Sequence, residues 1–192
     1  MVHNAQTPIQ ENLVTQNKVY SQSFTGGSLA LPPAKKYAVG SSLFPSPRLT
    51  PTDLEPVTCM DARIDPAAAY GISLGDAHVI RNAGASAQDA LRSLVISEQL
   101  LGTEEILLIK HTGCGMLTFK NEDAAGIVRK NLGEEAVKEL DAFKGDFLPF
   151  PDLDGAVKSD VEFLKGSKLI PDKVRISGWV YEVETGKVKS VV

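Results

Sequence analysis

The sequence predicts an α/β domain with a central, mainly parallel β-sheet flanked by helices and preceded by an N-terminal helical arm. Three observations carry that prediction. Strand-like apolar runs alternate with longer segments of helical period, the pattern of a parallel sheet. Ile106 to Ile109 is apolar without interruption, as in a strand covered on both faces. Two clusters of chemically capable residues directly follow predicted strands, where sites gather in open α/β sheets.

The chain has 192 residues, enough for one domain with a substantial core. Its net charge of -4 argues against a nucleic-acid partner. No apolar run is long enough to span a bilayer, and the first residues lack the basic and apolar regions of a secretory signal. A cytoplasmic protein with reduced thiols is expected. We divide the chain into an arm, 1–34, and a single α/β domain, 35–192, which carries an atypical Pro/Ser-rich insertion at 40–56.

The elements follow in order. Thr7-Pro8 is a cap followed by proline at the first helical position, and predicts a helix to about Ser23. Its apolar residues (Ile9, Leu13, Val14, Val19, Tyr20) are sparse, which suits an arm lying on something else. Lys35 to Val39 reads as a strand start and Val57 to Met60 as a strand. Asp65-Pro66 caps a short helix ending near Gly71. Ala77 to Arg81 is strand-like. Ser86 opens a helix with Asp89 as its capping-box acid, with Ala90, Leu91, Leu94, Val95, Leu100 and Leu101 on the buried side and Gly102 as its stop. Asn121 to Phe143 reads as two helices broken at Gly133, and Asp154 to Leu164 as another. Val174–Val183 and Lys187–Val192 flank Glu184-Thr185-Gly186 as a hairpin.

The chemistry lies in Cys59-Met-Asp61-Ala-Arg63 and His111-Thr-Gly-Cys114. These runs use both cysteines and one of the three histidines. Two thiolates and an imidazole make a zinc shell with the fourth position left for water, the catalytic pattern. Two thiolates neutralise Zn²⁺ and weaken it as a Lewis acid, so a neighbouring group must favour the hydroxide. Arg63 can hold Asp61 ionised through a bidentate pair, and Asp61 can accept the hydroxide's proton. Each motif alone is unspecific; together at strand ends they reinforce one another. A Cys59–Cys114 disulfide is the rival use of the cysteines, and a cytoplasmic setting argues against it. His78 reads as a packed or hydrogen-bonded histidine, and His3 as part of the terminal tail.

The chain resembles the β-class carbonic anhydrases, in their short microbial and fungal form. The matching text is Val57-Thr-Cys-Met-Asp-Ala-Arg63, Gly75-Asp-Ala-His-Val-Ile-Arg-Asn-Ala-Gly84 and His111-Thr-Gly-Cys-Gly-Met116. The resemblance implies a β-carbonic-anhydrase-like fold and a homodimer or dimer-based oligomer. It implies one Zn²⁺ per chain on Cys59, His111 and Cys114, an Asp61–Arg63 dyad, and a cleft lined by Arg81, Asn82 and Gly84. The implied reaction is reversible hydration of CO₂ to bicarbonate. In some relatives the residue matching Asp61 is a fourth zinc ligand in an inactive state. Carbonyl sulfide hydrolases resemble the same branch, and a non-enzymatic zinc or thiol protein is a third reading that has no need of Asp61–Arg63.

Two features depart from the family pattern. Many relatives carry an aspartate where this chain has Gly113. The stretch Gly40 to Pro56 interrupts a strand that is continuous in relatives; without it, Tyr-Ala-Val would join Val-Thr-Cys-Met-Asp. Pro47, Pro51 and Pro56 cannot donate ladder hydrogen bonds, so the stretch is expected to loop out or disrupt the strand. It reads either as a retained intron translated in frame or as a surface insertion.

Overall fold

The computed structural model describes residues 7–29 and 54–192, which belong to two compact units. The first unit holds helix α1 (Pro8–Gln22). Thr7 Oγ1 accepts from the Gln10 N–H at 3.3 Å, while the Thr7 N–H donates to Gln10 Oε1 at 2.8 Å. This reciprocal cap, with Pro8 behind it, starts a helix in a largely polar segment. None of its residues is buried. Ile9, Leu13, Val14, Val19 and Tyr20 are all more than half exposed.

The second unit is built on a five-stranded sheet ordered β2-β1-β3-β4-β5. Its strands are β1 (Leu54–Cys59), β2 (Ile80–Asn82), β3 (Glu105–His111), β4 (Arg175–Tyr181) and β5 (Val188–Ser190). The β1–β2, β1–β3 and β3–β4 pairs are parallel, and the closing β4–β5 hairpin is antiparallel. Among the described residues five α-helices accompany it: α2 (Pro66–Tyr70), α3 (Ala87–Leu101), α4 (Asn121–Leu132), α5 (Glu134–Lys138) and α6 (Leu153–Gly166). The main core packs Ala90 and Leu94 of α3 and Val161 and Leu164 of α6 with Val57, Ile106 and Leu108 of the central strands. Full burial of each of the Val, Leu and Ile side chains contributes roughly 1.5–3 kcal/mol. No helix among the described residues is long and apolar enough to cross a membrane.

Most elements fall where the sequence places them, with three corrections. First, Leu54–Pro56 belong to β1, with Pro56 in register with Leu107. The strand therefore runs through a proline expected to break it. Pairing with β2 begins only at Val57, so among the described residues Pro56 has a neighbouring strand on one side, the setting in which a strand tolerates proline. The rest of the insertion, the Lys35–Val39 strand and the 34/35 domain boundary lie outside the described residues. Second, the Ala77–Arg81 strand is shorter and later, Ile80–Asn82. Third, Leu100 is 75% exposed. The inward face of α3 runs through Ala87, Ala90, Leu94, Ser97 and Glu98, so polar residues occupy positions where the hydrophobic pattern placed leucine.

Candidate functional site

Cys59 is the last residue of β1 and His111 the last of β3. These strands are parallel neighbours, so their C-terminal ends bring residues 52 positions apart onto one rim. Cys114 follows one tight turn after His111, with Gly113 at φ +60°. The ligand atoms of Cys59, His111 and Cys114 all lie within 4.8 Å of one another, a group that could hold a metal ion. All three residues are buried, and both cysteines are free thiols rather than a disulfide.

The imidazole is oriented from behind. His111 Nδ1 donates to the Thr112 carbonyl at 2.8 Å, which makes Nε2 the nitrogen that carries the lone pair in the neutral ring. Nε2 is buried and has no hydrogen-bond partner among the described residues. The contact with Cys114 pulls the Cys59 thiol down, and the same contact pushes the Cys114 thiol up.

Asp61 and Arg63 form the expected bidentate pair. Arg63 Nε donates to Asp61 Oδ1 at 2.9 Å and Nη2 to Oδ2 at 2.8 Å; the Arg63 backbone N–H adds a third bond to Oδ1. These bonds hold the Asp61 carboxyl well below the usual carboxylate range. Asp61 Oδ2 lies 3.8 Å from His111 Nε2, so the carboxylate faces the cluster. Arg63 also donates to the Gly113 carbonyl at 3.0 Å, tying the two motifs together.

The expected cleft residues act mainly on the backbone around the cluster. Arg81 donates to the Cys59 carbonyl at 3.1 Å and the Asp61 carbonyl at 2.7 Å, bracing the segment that carries both. Asn82 closes the following loop by donating to the Ser86 carbonyl and accepting from its N–H. That N–H is the one a capping-box Asp89 would have taken. Gly84 sits at φ +70°, and a Cβ there would fall 2.8 Å from Met116 Cγ and 3.1 Å from the Phe150 ring. Only glycine fits so close an approach. Ile64, Met116, Phe150 and Tyr181 give the site an apolar wall. His78 is away from the cluster and pairs with Ser97 Oγ at 2.6 Å, the hydrogen-bonded role expected of it.

Sequence reasoning missed two groups of residues here. Lys110 is buried within β3, forms an ion pair with Asp160 at 2.9 Å, donates to the Gly84 and Ala85 carbonyls and lies over the Phe150 ring. A charge beside an otherwise apolar run was the available signal. Thr112 donates to Glu184 at 2.6 Å and accepts from the Val183 N–H, docking the hairpin against the His111 turn. No local pattern signals that contact.

The chain is similar to several known proteins. A family model described as carbonic anhydrase matches residues 56–188. Beta-carbonic anhydrase 1 of Mycobacterium tuberculosis is 33% identical over 184 residues, covering 95% of this chain and 98% of the mycobacterial protein. A carbon disulfide hydrolase of Acidithiobacillus thiooxidans is 39% identical over 145 residues, covering 68% of this chain and 73% of the hydrolase. The structure of a carbonic anhydrase from Glaciozyma antarctica superposes with a TM-score of 0.82 at 42% identity, covering 97% of this chain and all of that one. The family match and the similarity across nearly the whole chain converge on one conclusion: the protein belongs to the β-carbonic anhydrase family.

Proposed function

We propose that the protein is a zinc enzyme that interconverts CO₂ and bicarbonate, with one zinc per chain on Cys59, His111 and Cys114. The observation that carries this reading is His111 Nε2, a buried lone pair with no hydrogen-bond partner among the described residues, grouped with two thiol sulfurs. One imidazole and two sulfurs suit zinc with an open fourth position. When bound, zinc lowers the pKa of a water at that position so that it serves as a nucleophile.

The chain's own residues supply the rest. Two thiolates neutralise a dication, so the remaining local charge comes from Asp61 and Arg63. Asp61 stays ionised because Arg63 holds both its oxygens, and a carboxylate can only accept. A hydrogen-bond donor held beside His111 is therefore turned toward Asp61 Oδ2, leaving its lone pair for an electrophilic carbon. The same pairing keeps Asp61 from serving as a fourth ligand until Arg63 releases it. Arg81, Asn82 and Gly84 shape the cleft by fixing the backbone around it. The apolar wall suits a small uncharged substrate.

The second reading is hydrolysis of a sulfur analogue, carbonyl sulfide or carbon disulfide, by the same residues. The similarity to a carbon disulfide hydrolase favours it. Zinc-loaded protein assayed side by side on CO₂, carbonyl sulfide and carbon disulfide decides between them. Turnover of CO₂ well above both sulfur compounds is the expected result, and turnover of a sulfur compound alone would overturn it. We further propose a cytoplasmic homodimer in which α1 covers the partner subunit, which explains five exposed apolar side chains on one short helix.

A further inference from the structure

Among the described residues, the Arg63 guanidinium is hydrogen-bonded through one edge. Its Nε and Nη2 are taken by Asp61 and the Gly113 carbonyl, and about half of the side chain is exposed. A Cβ at Gly113 would fall 3.7 Å from Arg63 Nη1, 3.9 Å from Nη2 and 4.0 Å from Glu184 Oε1. A carboxylate from the far end of the chain thus borders the same small space as the outer side of Arg63.

That carboxylate is placed firmly despite its exposure. Thr112 Oγ1 accepts from the Val183 N–H at 3.0 Å, so its own proton is directed to Glu184 Oε2, at 2.6 Å. The turn behind it is closed by the Gly186 N–H on the Glu182 carbonyl at 2.8 Å and by Thr185 Oγ1 on Glu182 Oε2 at 2.7 Å. The Thr112 bond, with Arg63 as a weaker contributor, holds the Glu184 carboxyl below its ordinary range.

We infer that Glu184 is a positioning residue for the Arg63–Asp61 pair, a carboxylate brought by the C-terminal hairpin to the outer side of the guanidinium across the space Gly113 leaves open. The inference rests on the reading of Arg63–Asp61 as the pair that serves the reaction. An exposed arginine gains rotamer entropy by swinging into solvent. A second anion opposes that motion and keeps the fork on Asp61.

The test separates charge from packing. Glu184→Gln keeps an acceptor for Thr112 but removes the charge. Gly113→Asp returns a carboxylate to the same space, and aspartate tolerates the left-handed conformation there. In zinc-loaded protein, NMR reads the water-exchange rate of the Arg63 Nε–H, whether or not the enzyme turns over. Glu184→Gln is expected to speed that exchange about two- to fivefold, the range of an exposed ion pair, with zinc content and Tm unchanged. Turnover should fall by a similar factor, less so at high salt. Gly113→Asp added to Glu184→Gln should restore both. Unchanged Arg63 exchange in Glu184→Gln would overturn the inference, as would failure of Gly113→Asp to restore it. If the exchange behaves as expected but the parent turns over neither CO₂ nor the sulfur compounds, the functional reading falls and this one stands.

Discussion

Glu55 lies in β1 at 1% exposure, and its Oε2 has no hydrogen-bond partner among the described residues. Glu98 of α3 is 7% exposed with neither oxygen partnered among them. Burial pushes the Glu55 carboxyl up to about 8 and the Glu98 carboxyl up to about 7. In the unfolded chain both ionise near the ordinary value of 4.5. Between that value and the raised one the folded state holds more protons than the unfolded state, so stability falls as pH rises. The loss from Glu55 begins above about 4.5 and is complete above about 8. At roughly 1.4 kcal/mol per unit, Glu55 alone costs up to about 5 kcal/mol at alkaline pH. Glu55→Gln keeps the size of the side chain and removes its ionisation. The gap between variant and parent should widen steadily with pH, by about 3 kcal/mol between pH 5.5 and pH 8. Urea midpoints of zinc-loaded parent and variant, at equal protein concentration from pH 5.5 to 9, measure the difference; zinc affinity changes with pH in both proteins and largely cancels. Parallel curves across this range would refute the reasoning.

Cys114→Ser should lose both zinc, read by elemental analysis, and activity; full activity in metal-free protein would contradict the proposed centre. Asp61→Asn should keep zinc and lose about 10²-fold or more in turnover, because the amide neither stays anionic for Arg63 nor accepts at both atoms. Deleting residues 40–56 joins Val39 to Val57, so that Ala38 takes the sequence position Glu55 now holds ahead of Val57. Zinc binding should survive, the pH dependence of stability should flatten, and Tm should rise by about 5 °C or more; loss of zinc would show that the centre depends on the segment. The retained-intron reading, with GT…AG splice ends, requires GGT at Gly40 and CCA at Pro56 in the gene. Sedimentation should show a dimer that removal of residues 1–29 weakens, and a stable, active monomer of the full chain would rule out the arm's proposed role.

Local patterns carried most of the architecture. Caps at Thr7, Asp65 and Ser86, stops at Gly71 and Gly102, and the apolar run from Ile106 made helices and strands readable because each depends on neighbours a few residues away. The residue types Cys, His, Asp and Arg named the candidate chemistry for the same reason: donor atoms and charge belong to the side chain itself. Leu100 and Pro56 escaped that reading. Helix period alone does not say that Ser97 and Glu98 face inward, and a proline's cost depends on which flank of its strand is paired. Lys110 with Asp160, Thr112 with Glu184, and the closeness of Gly84 to Met116 are likewise contacts between distant segments. Parallel pairing of β1 with β3 brings the residue groups 59–63 and 111–114 to one rim, and the β4–β5 hairpin sets Glu184 beside Arg63. The sequence by itself determined which groups were present and which short elements would carry them; only the tertiary structure decided which of them meet, because distance and burial are set by how the strands are ordered and the helices packed.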